Sequence, residues 1–158
     1  MTNAKIRPCV PSDMPALKAL VDAAELFPAE MLDGMVSFET PPEPTDEPRE
    51  FWLVHDEGET PVATACCAPE RMTVGTWNLL LIVVHPDHQG GGIGVGLMRH
   101  VEALLAARGD RVLLVETSGT PAFERTRGFY ARVGYEREAR IRDYYDAGDD
   151  KIVFRRAL

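Results

Sequence analysis

Apolar positions along this 158-residue chain change repeatedly between a spacing of two and a spacing near 3.6, so strands and helices alternate from one end to the other. A short strand is expected around Ile6, and Ser12-Asp13-Met14-Pro15, a capping residue followed by an early proline, opens a helix with Leu17, Leu20 and Val21 on one face. Leu26–Phe38 reads as a second helix. Phe51–His55 and Val62–Ala68 flank Asp56-Glu57-Gly58-Glu59, which is a hairpin signal. Trp77–Val84 is the fourth strand, and the unbroken apolar run Leu79–Val84 predicts cover on both faces. Ile93, Leu97, Val101, Leu104 and Leu105 form a helical stripe that Gly109 ends. Arg111–Glu116 reads as a buried fifth strand, Pro121–Val133 as a helix, and Glu138–Tyr144 and Ile152–Arg156 as the last two strands. No internal repeat is visible.

Residues 40–49 carry four prolines, which remove donors and fix φ, so this acidic stretch is expected to be an exposed, mobile loop within one domain spanning residues 1–158. The element order predicts an α/β (α+β) fold with a mixed, mostly antiparallel central sheet flanked by helices.

Composition narrows the function. A net charge of −8 argues against nucleic acid or an anionic membrane surface as partner, since both are bound by basic surface. No apolar run approaches the ~20 residues that cross a bilayer, and Met1-Thr-Asn-Ala-Lys-Ile-Arg-Pro lacks the apolar core of a secretory signal, so a cytoplasmic location is expected. Cys66 and Cys67 are adjacent and Cys9 is isolated. None has metal-ligand spacing, so the three are read as small buried hydrophobes, and no metal is expected.

The most informative stretch is His85-Pro86-Asp87-His88-Gln89-Gly90-Gly91-Gly92-Ile93-Gly94, a glycine-rich turn between the fourth strand and the following helix. Glycines let backbone approach an anion, and the first N–H groups of a helix have no internal partner, so such a turn can cradle a diphosphate without a basic side chain. The dinucleotide fingerprint fails, because Leu97 or Arg99 stands where its last glycine belongs; the nucleotide-triphosphate loop fails, because Leu97-Met98 follows Gly96.

What remains, Gln89-x-x-Gly92-x-Gly94, resembles the coenzyme A diphosphate loop of the GNAT superfamily of N-acetyltransferases. A second segment, Phe129-Tyr130-Ala131-Arg132-Val133-Gly134-Tyr135, is similar to the family's Tyr-x-x-x-Gly-(Phe/Tyr) helix end, and a third, Tyr144-Tyr145-Asp146-Ala147-Gly148-Asp149-Asp150, resembles a hairpin of its ribosomal-protein alanine N-acetyltransferases. The resemblance covers Trp77 to Leu158 and implies a sheet splayed between strands 4 and 5, with acetyl-coenzyme A as co-substrate held by Gln89, Gly90, Gly91, Gly92, Ile93 and Gly94. It further implies a backbone N–H at Val83 or Val84 as oxyanion donor, Tyr130 close to the thioester sulfur as general acid, Glu116 as the base for the amine, and Tyr144 and Tyr145 lining the acceptor groove.

A carboxylate ending an apolar strand independently asks for a role at Glu116. His85 and His88 are alternative bases, and Arg125 or Arg127 are candidates for contact with coenzyme phosphates. The family's asparagine after the fifth strand is replaced by Ser118-Gly119-Thr120. The reading is direct acetyl transfer to a primary amine, either a small molecule or a peptide N-terminus, drawn in by Asp143, Asp146, Asp149 and Asp150. A non-catalytic acyl-coenzyme A sensor and a transferase of longer acyl groups are the alternatives, and a homodimer stays open.

Overall fold

The computed structural model of the chain describes residues 5–158. Its seven strands are β1 (Ile6–Pro8), β2 (Phe51–Glu57), β3 (Thr60–Pro69), β4 (Thr76–Val84), β5 (Val112–Ser118), β6 (Glu136–Asp146) and β7 (Asp149–Ala157). They form one sheet in the order β1-β2-β3-β4-β5-β7-β6, antiparallel throughout except for the parallel β4–β5 pair. Three helices flank it, α1 (Met14–Ala23), α2 (Ile93–Ala107) and α3 (Glu124–Arg132). No helix among the described residues is long and apolar enough to cross a membrane.

Alternation along the strands splits the core between the two faces. Phe51, Leu53, Ala65, Cys67, Leu79 and Val115 pack with Leu97, Met98 and Val101 of α2 and Tyr130 of α3. Trp52, Val54, Cys66 and Val83 pack on the other face against Leu17, Leu20 and Val21 of α1. Each buried leucine contributes about 1.5–3 kcal/mol over exposure, so the apolar stripes of α1 and α2 fix which face each helix covers. All three cysteines are free and buried, as expected, and burial pushes the Cys9 thiol up to about 12.

Sequence patterning misplaced several elements. Leu26–Phe38 is not a helix: only a 3-10 turn, Ala29–Gly34, forms, and Met31 and Met35 lie on the surface. The expected helix over 121–133 begins with a 3-10 turn, Pro121–Phe123, before α3. Residues 40–49 form no regular element, as expected, and are mostly exposed. Arg108, past the end of α2, bonds the carbonyls of Glu43 and Asp46, and the Arg49 Nε donates to the Thr40 carbonyl at 3.0 Å.

Asp13 is a structural anchor rather than a simple helix cap. It accepts two bonds from the Arg7 guanidinium, each 2.9 Å, and one from the Val10 N–H at 2.8 Å. Arg7 also pairs with Asp56 of β2 at 2.7 Å, so one guanidinium joins β1, β2 and the start of α1. The Arg7 bond, outweighing burial, holds the Asp13 carboxyl below its ordinary value. A carboxyl depressed in the folded state stabilises the fold fully above its unfolded value near pH ~4, and that contribution fades as pH falls through the lower folded value. Asp13→Asn is therefore expected to cost about 2–3 kcal/mol at pH 7 and to flatten the acid limb of stability. Urea unfolding at pH 7 and at pH 3 measures both, and equal losses at the two pH values would contradict this account.

Candidate active site

Strands β4 and β5 part company halfway along. Their parallel pairing covers only Thr76–Leu79 with Val112–Val115. Beyond that point β4 stays with β3 as far as Val84, while β5 stays with β7 as far as Ser118, so each strand is held by its other neighbour and a gap opens between them. A β-bulge at the start of the divergence, where Cys66 and Cys67 oppose Leu81 and Leu79, leaves Leu80 without a partner. Leu80 is 54% exposed, so the unbroken apolar run of β4 is not covered on both faces as predicted; it flanks an opening.

The ladder decides which N–H groups look into the gap. His85 N–H bonds the Val62 carbonyl at 2.8 Å, and the register is regular from there to Leu81. By alternation Val83 and Leu81 turn their N–H groups to β3, while Val84 and Ile82 turn theirs into the gap. Of the two donors that the family resemblance implied, Val84 faces the opening and Val83 packs its side chain against α1.

On the α2–α3 side of the sheet the gap leads into a groove of about 730 Å³, lined by Ile82, Val84, Gln89, Gly92, Phe129 and Tyr130 among others. The glycine-rich turn forms its end. Gly90 and Gly92 have φ of 82° and 86°, and a Cβ at either would meet no atom within 4 Å, so both face open space. The first bond of α2 runs from the Gly96 N–H to the Gly92 carbonyl at 2.9 Å, which leaves the N–H groups of Ile93, Gly94 and Val95 without an intrahelical acceptor. Gln89 donates its amide to the Val84 carbonyl at 3.1 Å and so ties the turn to the end of β4. Arg125 stands at the groove, whereas Arg127 donates to the Ser118 and Thr120 carbonyls, both at 2.8 Å, and buttresses the loop after β5 instead. Apolar walls, free helix-terminal donors and uncrowded glycines fit a coenzyme A pantetheine and diphosphate.

Glu102 of α2 fixes the two helical walls of that groove. It accepts from Arg99, from the Tyr135 hydroxyl at 2.8 Å and from Arg156 at 3.2 Å, and both arginines also bond the Val133 carbonyl at the end of α3. Only the Arg99–Glu102 pair, three residues apart on α2, has a local signal; Tyr135, Arg156 and the Val133 carbonyl are brought to it by the fold.

Tyr130 is 5% exposed and its ring packs on Phe129, Tyr135 and Phe154, yet no group among the described residues bonds its hydroxyl. Burial pushes the phenol well above its ordinary value, so it is protonated throughout the neutral range.

On the α1 side the gap opens into a second groove of about 700 Å³, lined by Trp52, Leu80, Glu116, Phe123, Tyr145 and Asp149 among others. Glu116 does not end β5, as the sequence suggested; the strand runs on to Ser118. Its carboxylate is paired with Lys151 of β7 at 2.9 Å, a partner that no motif indicated. Burial pulls Lys151 down, but the bond and charge of Glu116, with Tyr144, outweigh it and leave the ammonium above its ordinary value. Tyr144 is stacked over Lys151, 4.1 Å from nitrogen to ring centroid, while Tyr145 faces the groove.

Of the four aspartates expected there, only Asp149 lines the groove, hydrogen-bonded to Ser118. Asp150 pairs with Arg140, and Asp143 and Asp146 cap backbone N–H groups of the β6–β7 turn. Neither histidine reaches this side: His85 accepts the Asp87 N–H within its own turn, and His88 lies by the coenzyme-sized groove.

Comparison with known proteins agrees with this geometry. The sequence model of the Acetyltransferase (GNAT) family matches residues 20–135. A protein of Desulfovibrio desulfuricans assigned to the GNAT family has a similar solved structure, with 29% identity, TM-score 0.82, and 96% of this chain and 97% of that one covered. The fold is also that of the ribosomal-protein-S18-alanine N-acetyltransferase from Escherichia coli (22% identity, TM-score 0.74, 97% and 92% covered) and of an aminoglycoside 6'-N-acetyltransferase complexed with coenzyme A (17%, 0.74, 96% and 96%). No curated protein matches the sequence.

Proposed function

The chain belongs to the GNAT acetyltransferase family, and from that premise we propose that it is a cytoplasmic, single-domain enzyme moving an acetyl group from acetyl-coenzyme A to a primary amine by direct attack. The observation that carries the proposal is the gap beyond Leu79 and Val115, with a coenzyme-sized groove on one side of the sheet and an acidic groove on the other. Two reactants entering from opposite faces meet there without a covalent enzyme intermediate, and holding them together supplies much of the rate.

Acetyl-coenzyme A supplies the activated acyl thioester. The residues that would hold it are Gln89, Gly90, Gly91, Gly92, Ile93 and Gly94 at the diphosphate, with Ile82, Val84 and Phe129 along the pantetheine. The Val84 and Ile82 N–H groups, fixed by the β3–β4 ladder, are the donors to the acyl oxygen, and a preset donor needs no rearrangement as charge develops there. Glu116 takes the proton of the incoming amine directly or through water, with Lys151 holding the carboxylate in place. On the opposite side Tyr130 gives its phenolic proton to the departing sulfur. One proton is taken and one given, so the protein returns to its starting state after the two groups exchange protons with solvent.

The likenesses to a peptide-acetylating enzyme and to an aminoglycoside-acetylating one extend along the fold alone. The acceptor must therefore be read from the groove.

Acetyl-coenzyme A at about a hundredfold above its Kd is expected to stabilise the fold by ~2.7 kcal/mol, raising Tm by roughly 5–10 °C for a chain of this size. A thermal scan with and without it, followed by a thiol-release assay over small amines and short peptides, tests the proposal. An unmoved Tm and no thiol release with any amine would sink it.

A further inference from the structure

The groove on the α1 side is built for more than a charge. Met35, Leu80, Phe123 and Tyr145 all line it, and each is at least 38% exposed. Exposed apolar side chains scattered singly need no explanation, but four converging on the mouth of one groove form a patch of the kind that receives a ligand. Trp52 and Cys66 make the floor beneath them.

The carboxylates of the groove are not equivalent. Glu116 is neutralised by Lys151, and Asp149 is engaged by the Ser118 hydroxyl. Glu50, at the entry to β2, has only the Trp52 indole N–H at 3.4 Å, and no cationic side chain among the described residues lies within ion-pair distance of it. A half-buried carboxylate without a counter-charge draws a cation more strongly than one on open surface, because water screens it less.

We infer that the acceptor is an amine carried on an apolar, aromatic-sized body, with Glu50 as the specificity residue that draws its positive charge into the groove. This rests on the acetyltransferase reading above. Met35, Leu80, Phe123 and Tyr145 take the body, and Glu50 holds the ammonium on arrival; the ammonium gives one proton to solvent to free the attacking lone pair, and Glu116 takes the second at the gap as nitrogen bonds the acyl carbon. A polyhydroxylated amino sugar is disfavoured, because its hydroxyls would be left unpaired against leucine, methionine and phenylalanine. An anionic acceptor is repelled by Glu50.

The experiment compares 2-phenylethylamine with glucosamine, which carries the same charge on a polar body, in wild type, Glu50→Gln and Leu80→Ser. The glutamine side chain is isosteric with glutamate and its amide oxygen can still accept the Trp52 N–H, and Leu80 is exposed, so both substitutions spare the fold. Initial rates with acetyl-coenzyme A are paired with calorimetric titration of 2-phenylethylamine into protein saturated with coenzyme A, where no transfer occurs, and into protein alone. The expected results are a kcat/KM for 2-phenylethylamine about a hundredfold above that for glucosamine, and binding weakened roughly tenfold or more by Glu50→Gln, the loss falling mainly on KM. Leu80→Ser is expected to weaken 2-phenylethylamine roughly tenfold and to bring its preference over glucosamine nearer to one.

Equal or faster turnover of glucosamine, or binding indifferent to Glu50→Gln, overturns the inference and leaves the acetyltransferase reading standing. Glu50-dependent binding of 2-phenylethylamine with no turnover of any amine supports the inference about the groove and overturns the acetyltransferase reading. Absence of 2-phenylethylamine binding in both titrations overturns the inference outright.

Discussion

Gly92→Val is expected to abolish measurable acetyl-coenzyme A binding in a protein that still folds. Gly92 sits at φ 86° with open space where a Cβ would go, at the end of the groove where the α2 N–H groups are unpaired. A valine there places two methyl groups between those donors and the diphosphate, so the anion loses its bonds and its room together. The left-handed backbone costs a non-glycine residue about 1–2 kcal/mol, against a stability of about 5–15 kcal/mol for a domain of this kind, so the variant stays folded. Gly96→Ala is the control: it lies in the same helix, outside the groove, with nothing within 4 Å of its Cβ and an ordinary helical φ. It is expected to gain about 1 kcal/mol and to bind the coenzyme as wild type does. Calorimetry with acetyl-coenzyme A and a thermal scan of each variant check both. Retained binding in Gly92→Val would mean that the diphosphate lies elsewhere.

Tyr130→Phe is the second large expected effect. The hydroxyl has no hydrogen-bond partner among the described residues, so its removal breaks nothing in the protein and stability should move by less than about 1 kcal/mol. Turnover is nonetheless expected to fall by ~10²–10⁴-fold, the usual share of a positioned general acid, with coenzyme binding kept. Tyr135 offers the contrast, since its hydroxyl donates to Glu102 and Tyr135→Phe should cost stability rather than chemistry. Glu116→Gln should also lower turnover ~10²–10⁴-fold, but it leaves Lys151 with a weaker partner and so also costs stability. Comparing melting temperature and kcat across the three variants separates acid, base and scaffold, and a Tyr130→Phe enzyme at wild-type speed would remove the general acid from the mechanism.

Legibility of the fold in the sequence followed the strength of the local signal. Strands bounded by turn residues and helices with a clean apolar stripe, such as Leu97, Val101 and Leu105, lie within about two residues of their expected bounds, except that β7 begins at Asp149, three residues before Ile152. Leu26–Phe38 misled because its apolar residues serve two ends without a helical face: Leu32 is buried in the α1-side core, while Phe27 and Met35 line the α1-side groove. Leu80 misled as well, since an apolar run looks identical whether it is covered by a helix or flanks a gap. Proline content signals the irregular loop at 40–49, but its contacts with Arg108, more than sixty residues further on, carry no local signal.

The glycine turn was legible as a place where backbone can meet an anion, because that chemistry lies in consecutive residues. Glu116 was legible as an anomaly, a carboxylate in an apolar strand. Lys151, Glu50 and the choice of Val84 over Val83 were not, since they depend on the β5–β7 register, on the path of the chain into β2 and on which way a ladder faces. The division between Arg125 at the groove and Arg127 beneath the loop after β5 likewise turns on helix phase, which sequence spacing alone leaves open.

The central claim is that two reactants meet in the gap between β4 and β5 and exchange the acetyl group directly. Initial rates measured over a grid of acetyl-coenzyme A and 2-phenylethylamine concentrations, with thiol release and acetylated amine quantified together, test it most directly. Direct transfer predicts intersecting double-reciprocal lines, one acetylated amine for each thiol released, and no thiol release when the amine is left out. Parallel lines with a burst of thiol in the absence of amine would contradict it, since they require an acetylated protein that this geometry does not provide for.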